Sequence, residues 1–228
     1  MSTDPQQARE SAAAVNSRVW RGLYAAGGND MRYPNDVLVR VAFRLLDPAR
    51  ERRMLDFGFG TGANLVHFAA RGFEMHGIEI SPHALARTRE RLAAAGLAAQ
   101  LQLLEPGAPL PYTAGYFDAV YSWHVLYYND RPGFERAVGE LERVVKPGGR
   151  VLIAIAAPGD VSQLEAEPLG DALYRSRVAG QEGCVVLIPD RAGVDALFAG
   201  RDIEVGDFGY RFGPSVARYW IITYRTPM

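Results

Sequence analysis

The sequence predicts an α/β fold: a doubly wound, mostly parallel seven-stranded sheet with helices on both faces and a C-terminal antiparallel hairpin strand. Three observations predict it. Short strand-like runs alternate with helix-period segments over residues 53–156, the pattern of successive βαβ units. The run at 151–156 is wholly apolar, which suits a strand covered on both faces. After Pro158 the alternation stops, and the chain ends in two strand-like runs near 203–210 and 217–224 joined by Phe212-Gly213-Pro214-Ser215. That tail reads as a hairpin at a sheet edge.

The elements follow in order. Val15, Val19, Trp20 and Leu23 fall at roughly helical spacing, so a short helix precedes the turn-forming run Ala25-Ala26-Gly27-Gly28-Asn29-Asp30. Tyr33-Pro34-Asn35-Asp36 starts a second helix, whose apolar face is Leu38, Val41, Ala42 and Leu45; Asp47-Pro48 ends it. Residues 54–57 form the first strand. A helix over 61–71 turns Leu65, Phe68 and Ala69 inward and stops at Gly72. The second strand spans 74–80. Ser81-Pro82 caps and opens the next helix, with Leu85, Thr88 and Leu92 on its inner face and Gly96 at its close. Strands at 101–104 and 117–122 precede a helix over 132–145 that carries Phe134, Val138, Leu141 and Val145. Lys146-Pro147-Gly148-Gly149 is a turn into the fifth strand. The polar stretch 159–190 is an insert with a helix expected around 169–177, followed by a helix near 192–198.

Composition narrows the class without choosing one. The chain has 228 residues, of which 48% are hydrophobic and 22% charged, an ordinary globular balance able to bury a core. Twenty-five basic against 26 acidic residues give a net charge of −1. A chain built mainly to grip nucleic acid would carry a large positive excess. Cys184 is the only cysteine, which excludes an intrachain disulfide and a cysteine-based zinc site. His67, His76 and His83 read as structural, and no pair has metal-ligand spacing, so no metal is expected. The first residues are polar with no apolar signal core. The longest apolar run, 151–157, is far short of the about 20 residues of a membrane helix. These features suggest a cytoplasmic protein, monomer or homodimer, without a membrane or nucleic-acid partner. Lys146 is the only lysine; the other 24 basic residues are arginine.

The sharpest segment is Asp56-Phe57-Gly58-Phe59-Gly60-Thr61-Gly62-Ala63. Glycines between a strand and a helix let the backbone turn tightly and approach a ligand, and the helix-start N–H groups then face it. Ala63 stands where a dinucleotide fingerprint needs its third glycine. Glu79, at the end of the second strand, is placed to accept bonds from both hydroxyls of a ribose. Asp56 as a turn cap and Glu79 as a solvated strand end are the structural alternatives.

This loop resembles the S-adenosylmethionine site of class I, Rossmann-like methyltransferases of the small-molecule type. The resemblance continues through Gly77-Ile78-Glu79-Ile80-Ser81, through Leu110-Pro111-Tyr112 with Phe117-Asp118-Ala119-Val120, and through Leu141-Glu142-Arg143-Val144-Val145-Lys146-Pro147-Gly148-Gly149. It covers 54–156. It implies that Asp56 and the backbone of Gly58, Gly60 and Gly62 hold the methionine part of S-adenosylmethionine. Glu79 then holds the ribose, and Ile80 packs on adenine. The family often has an Asp just before its Leu-Pro pair; Pro106 stands there, so Glu105, one residue earlier, or a backbone carbonyl would meet the adenine amine. Residues 1–50 resemble a helical lid over a domain spanning 51–228. Trp20, Tyr24, Arg32 and Tyr33 are its candidates for covering the cofactor, with Arg32 facing the carboxylate.

The acceptor site is expected past the fourth strand, at Ser122-Trp123-His124-Val125-Leu126-Tyr127-Tyr128-Asn129. Trp123 falls against the cofactor. His124 is the candidate base, and Tyr128 would orient or deprotonate an acceptor. Both also suit plain packing roles. Tyr210, Arg211, Phe212 and Arg218 either face the same pocket or end the sheet; an arginine there would favour an anionic acceptor. The function implied is methyl transfer to an O, N or C atom of a small molecule. A nicotinamide-dependent oxidoreductase and a non-catalytic S-adenosylmethionine-binding or interaction module are the alternatives.

Overall fold

The computed structural model describes residues 11–213 and 215–228. The polar residues 1–10 and Pro214 of the expected hairpin turn lie outside the described residues. Helices α1 (Ala12–Ala25) and α2 (Asp36–Leu45) precede β1 (Arg53–Phe57). Then follow α3 (Ala63–Ala70), β2 (Glu74–Glu79), α4 (Pro82–Ala94), β3 (Gln100–Leu103), β4 (Phe117–Trp123), α5 (Arg131–Val144) and β5 (Val145–Ala156). After these come α6 (Val161–Leu164), β6 (Ala166–Gly170), β7 (Leu173–Ser176), β8 (Val185–Leu187), α7 (Arg191–Leu197), β9 (Glu204–Phe212) and β10 (Ser215–Arg225).

The main sheet has seven strands in the order β3-β2-β1-β4-β5-β10-β9. The first five run parallel, and β10 pairs antiparallel with both β5 and β9. The order reverses between β1 and β4, so a crevice opens there beyond the carboxyl ends of the strands. Helices cover both faces. Phe134, Val138 and Leu141 of α5 and Leu197 of α7 bury into one core, while Leu38 of α2, Leu65 and Phe68 of α3 and Leu85 and Leu92 of α4 bury into the other.

Local chemistry sets the helix starts. Asn35 accepts from the Leu38 N–H at 3.1 Å, Ser81 from Ala84 at 3.3 Å, and Asp130 from Gly133 at 2.8 Å, each satisfying an orphan donor. Pro82 and Pro132 occupy first-turn positions that need no donor.

Two expectations change. The 169–177 stretch is not helical. Gly170, Asp171 and Ala172 have φ of 94°, 50° and 60°, and three successive left-handed residues make a tight reversal rather than a right-handed helix. The flanking residues pair as β6 and β7, and β8 completes a separate three-stranded antiparallel sheet. The Lys146–Gly149 turn lies inside β5 as an irregularity. Gly148 has φ 71°, and the register against β4 shifts between Phe117 and Ala119. The Gly148 N–H donates to the Thr226 carbonyl at 3.1 Å, tying the irregularity to the chain end.

Candidate functional site

The loop from β1 to α3 takes its shape from its glycines. Gly58, Gly60 and Gly62 have φ of 83°, 54° and 81°, values that strain any residue with a Cβ. Space forbids one as well. A Cβ on Gly60 would lie 2.7 Å from the Tyr24 hydroxyl, and one on Gly62 would lie 2.4 Å from a Thr88 methyl. Two further bonds pin the loop: the Gly58 N–H donates to the Ile78 carbonyl at 2.8 Å, and the Thr88 hydroxyl to the Gly60 carbonyl at 3.0 Å.

Glu79 ends β2 facing this loop and is 5% exposed. Its Oε2 accepts from the Gly60 N–H at 2.9 Å, and its Oε1 from Ile80 and Ser81 at 2.7 and 2.9 Å. Burial raises its pKa, and those three N–H groups and Arg21 oppose the rise. A carboxylate accepts at about four lone-pair positions, so capacity for a ligand hydroxyl remains. Asp56 lies deeper. Burial pushes its carboxyl up to about 8, the Tyr121 hydroxyl opposes this by donating at 2.5 Å, and the Glu79 charge adds to it.

One cavity of about 430 Å³ joins this loop to the end of β4. Gly58, Gly60, Gly62, Glu79, Ile80, Glu105 and Trp123 line it, as do the catalytic candidates His124 and Tyr128. Asp56, Arg32 and Tyr33 are not in its wall. Asp56 sits behind the loop against Tyr121. The 26–34 segment is held by long-range bonds at Asp30, which pairs with Arg87 at 3.1 Å and Arg91 at 2.6 Å, and by the Asn35 N–H, which donates to Asn64 at 2.8 Å. Between these ties Arg32 and Tyr33 turn to solvent, Tyr33 being 80% exposed, and Met31 and Asn35 line the cavity instead. Arg211 and Arg218 also lie outside it; Phe212 is 84% exposed.

His124 has φ 61°, an uncommon conformation for a side chain larger than Asn. Its backbone N–H donates to the Ala154 carbonyl at 3.0 Å, and its ring stacks on Tyr219 at 3.9 Å between centroids. Burial pushes its pKa down to about 4, so the imidazole is neutral at pH 7. The Tyr128 hydroxyl donates to Gln181 Oε1 at 2.8 Å and receives from Tyr127 at 3.3 Å. Burial raises its pKa well beyond neutrality, so it stays a phenol.

Several residues in the cavity wall or bonded to it are not marked by any sequence motif. Arg21 of α1 donates to the Ile80 carbonyl at 2.9 Å and reaches both Glu105 oxygens at 3.0 and 2.9 Å. Asn16, also on α1, bonds the Tyr128 carbonyl and both backbone groups of Val185, each at 2.8 Å. Gln181 comes from the insert and Tyr219 from β10. Among the described residues no group of three or more His, Cys, Asp or Glu side chains could hold a metal ion.

The comparisons with known proteins agree with this geometry. Residues 54–149 match the family model described as methyltransferase domain. The demethylmenaquinone methyltransferase of Thermus thermophilus is 37% identical over 116 residues, 48% of this chain and 51% of that protein. An uncharacterized protein of Mycobacterium bovis is 32% identical over 150 residues, 64% of this chain and 52% of that protein. The chain thus spans about half the length of these relatives. A solved S-adenosylmethionine-dependent methyltransferase of Methanosarcina mazei superposes with a TM-score of 0.68 at 18% identity, covering 82% of this chain and 97% of that one. Residues 54–149 therefore match a methyltransferase domain on a Rossmann-like fold, and the methyl donor of the Methanosarcina mazei protein is S-adenosylmethionine. The residues present fit that cofactor: a glycine cradle, a buried carboxylate with spare acceptor capacity, and a buried Trp123 indole N–H with no partner among the described residues.

Proposed function

We propose that the protein transfers a methyl group from S-adenosylmethionine to a small-molecule acceptor. One observation carries this reading: a single cavity is walled at one end by the glycine loop and Glu79 and at the other by His124, Tyr128 and Gln181. Cofactor and acceptor can therefore meet without crossing bulk water. The cavity volume and the net charge of −1 suit a small molecule better than a nucleic acid.

In this reading the backbone of Gly58, Gly60 and Gly62 holds the methionine end, with Asp56 behind it. Glu79 holds the ribose hydroxyls. Ile80 packs on the adenine, and Glu105 with the neighbouring backbone receives its amine. When bound, the cofactor supplies a methyl already activated on a sulfonium, so the protein's work is placement and exclusion of water. Residues 11–50 act as the lid, with Arg21 fastening α1 to the adenine side. Tyr128, held by Gln181, orients the acceptor. His124 is the proposed proton acceptor. Full ionisation of a hydroxyl by a base this weak is uphill, so His124 takes the proton only as the new bond forms.

Calorimetry with S-adenosylhomocysteine tests the reading. Micromolar-range binding is expected, with no heat from NADH. Absence of heat with S-adenosylhomocysteine on folded protein would overturn it, and tight NADH binding would favour an oxidoreductase.

A further inference from the structure

The acceptor end of the cavity is walled by rings. Trp20 meets Tyr128 edge to face at 5.0 Å and Tyr24 at 5.7 Å. Tyr127 lies 4.4 Å from Tyr128, and His124 stacks on Tyr219. Four charged side chains line the cavity as a whole. Glu79 and Glu105 lie beside Ile80, and Arg136 and Glu140 sit one turn apart on α5. The adjacent buried carboxylate, Asp160, is outside the cavity wall and accepts from the Ser162 and Arg218 N–H groups at 2.9 Å each. Burial keeps the Tyr127, Tyr128 and Tyr219 phenols protonated and His124 neutral.

One polar handle remains in this wall. The Tyr127 hydroxyl donates to Tyr128, and Tyr128 donates to Gln181 Oε1. That chain commits the amide oxygen of Gln181 and leaves its N–H₂ group without a partner among the described residues.

We propose that the acceptor subsite takes an uncharged, flat aromatic molecule bearing one oxygen, with its ring against the wall formed by Trp20, Tyr128 and Tyr219 and its oxygen on the Gln181 amide. The inference rests on the cofactor reading above and names the acceptor class for that site. An anion entering here loses its hydration, and the one arginine of the cavity wall, Arg136, stands one turn from the Glu140 carboxylate on α5. A cation finds ring faces, but it would sit beside the positive sulfonium of the bound cofactor. A flat neutral ring gains offset or edge contacts on every wall.

The test uses three molecules with one ring system: 2-naphthol, 2-naphthoate and 2-naphthylmethylammonium. Each is titrated calorimetrically into the full chain saturated with S-adenosylhomocysteine at neutral pH. The naphthol is expected to bind at least about tenfold more tightly than either charged analogue, since only they lose uncompensated hydration. Gln181→Ala is expected to weaken the naphthol about fivefold or more, the loss of one hydrogen bond. Trp20→Ala is expected to weaken it as well. Equal or tighter binding of either charged analogue overturns the inference. So does failure of the naphthol to bind a protein that takes S-adenosylhomocysteine, which leaves the cofactor reading standing. Failure of S-adenosylhomocysteine itself to bind overturns both.

Discussion

His124 joins two features that cost stability: a left-handed backbone and a buried, unionised ring. Such costs persist where the surroundings hold the residue in place, and they concentrate at functional sites. The ring also sets a pH dependence. Its folded pKa of about 4 lies below the unfolded value of about 6.5, so the unfolded chain binds a proton first as pH falls. The penalty is absent above about pH 6.5 and grows toward about pH 4, reaching roughly 3 kcal/mol at most. Burial lowers His67 and His76 in the same direction. His124→Asn, which tolerates the backbone, is expected to flatten this loss of stability without abolishing it, as urea unfolding at two pH values would show. Asp56 runs the opposite way. A carboxyl pushed up to about 8 is largely protonated at neutral pH, so Asp56→Asn is expected to stay within about 1 kcal/mol of the parent stability. Asp56→Leu leaves the Tyr121 hydroxyl unpaired and is expected to cost about 1–3 kcal/mol. Gly60→Ala is expected to cost about 1–2 kcal/mol from its φ alone and to weaken S-adenosylhomocysteine further by pushing on Tyr24. These loop residues were legible in the sequence because glycine between strand and helix has few other uses.

At the scale of elements, the alternation over 53–156 was legible because each strand buries a short apolar run and each helix buries one stripe. The insert was not legible. β6 reads Ala-Glu-Pro-Leu-Gly and is mostly exposed, so it lacks the alternation that marks a half-buried strand, and only the consecutive left-handed residues at 170–172 show the reversal. The N-terminal segment was legible in part. An aromatic and arginine cluster marks residues 20–33, but which of them face the cavity depends on bonds from Asp30 to Arg87 and Arg91, about sixty residues away. Helix α1 fully buries two polar residues, Asn16 and Ser17, while Val19 and Trp20 pack half-buried against the core. Asn16→Leu strands three backbone groups and is expected to cost about 3 kcal/mol or more, measured by denaturant unfolding. Arg21→Ala breaks an ion pair whose side chains are 36% and 72% exposed, so its effect on stability is expected to be below about 1 kcal/mol. Its expected signature is instead faster release of S-adenosylhomocysteine, read by stopped flow, because the adenine side of the lid is unfastened.

For the whole molecule, the sheet order places β1 and β4 side by side at the reversal, and that adjacency brings the glycine loop and His124 into one cavity. The near-zero net charge argues against a chain built mainly to grip a polyanion and says nothing of the pocket. The arginine bias resolves locally. Most arginines near the site are engaged in holding the fold: Arg21 to Ile80 and Glu105, Arg87 and Arg91 to Asp30, Arg143 to Glu140. Arg32, Arg211 and Arg218 do not line the cavity, whose one arginine is Arg136 of α5, so the pocket those three would have made for an anionic acceptor is not formed. The most direct measurement is a crystal structure with S-adenosylhomocysteine bound. The expected result is a ribose on Glu79, an adenine against Ile80, and a sulfur that opens onto the chamber of His124, Tyr128 and Gln181. A ligand bound elsewhere, or a sulfur facing away from that chamber, would contradict the shared cavity on which the proposed chemistry depends.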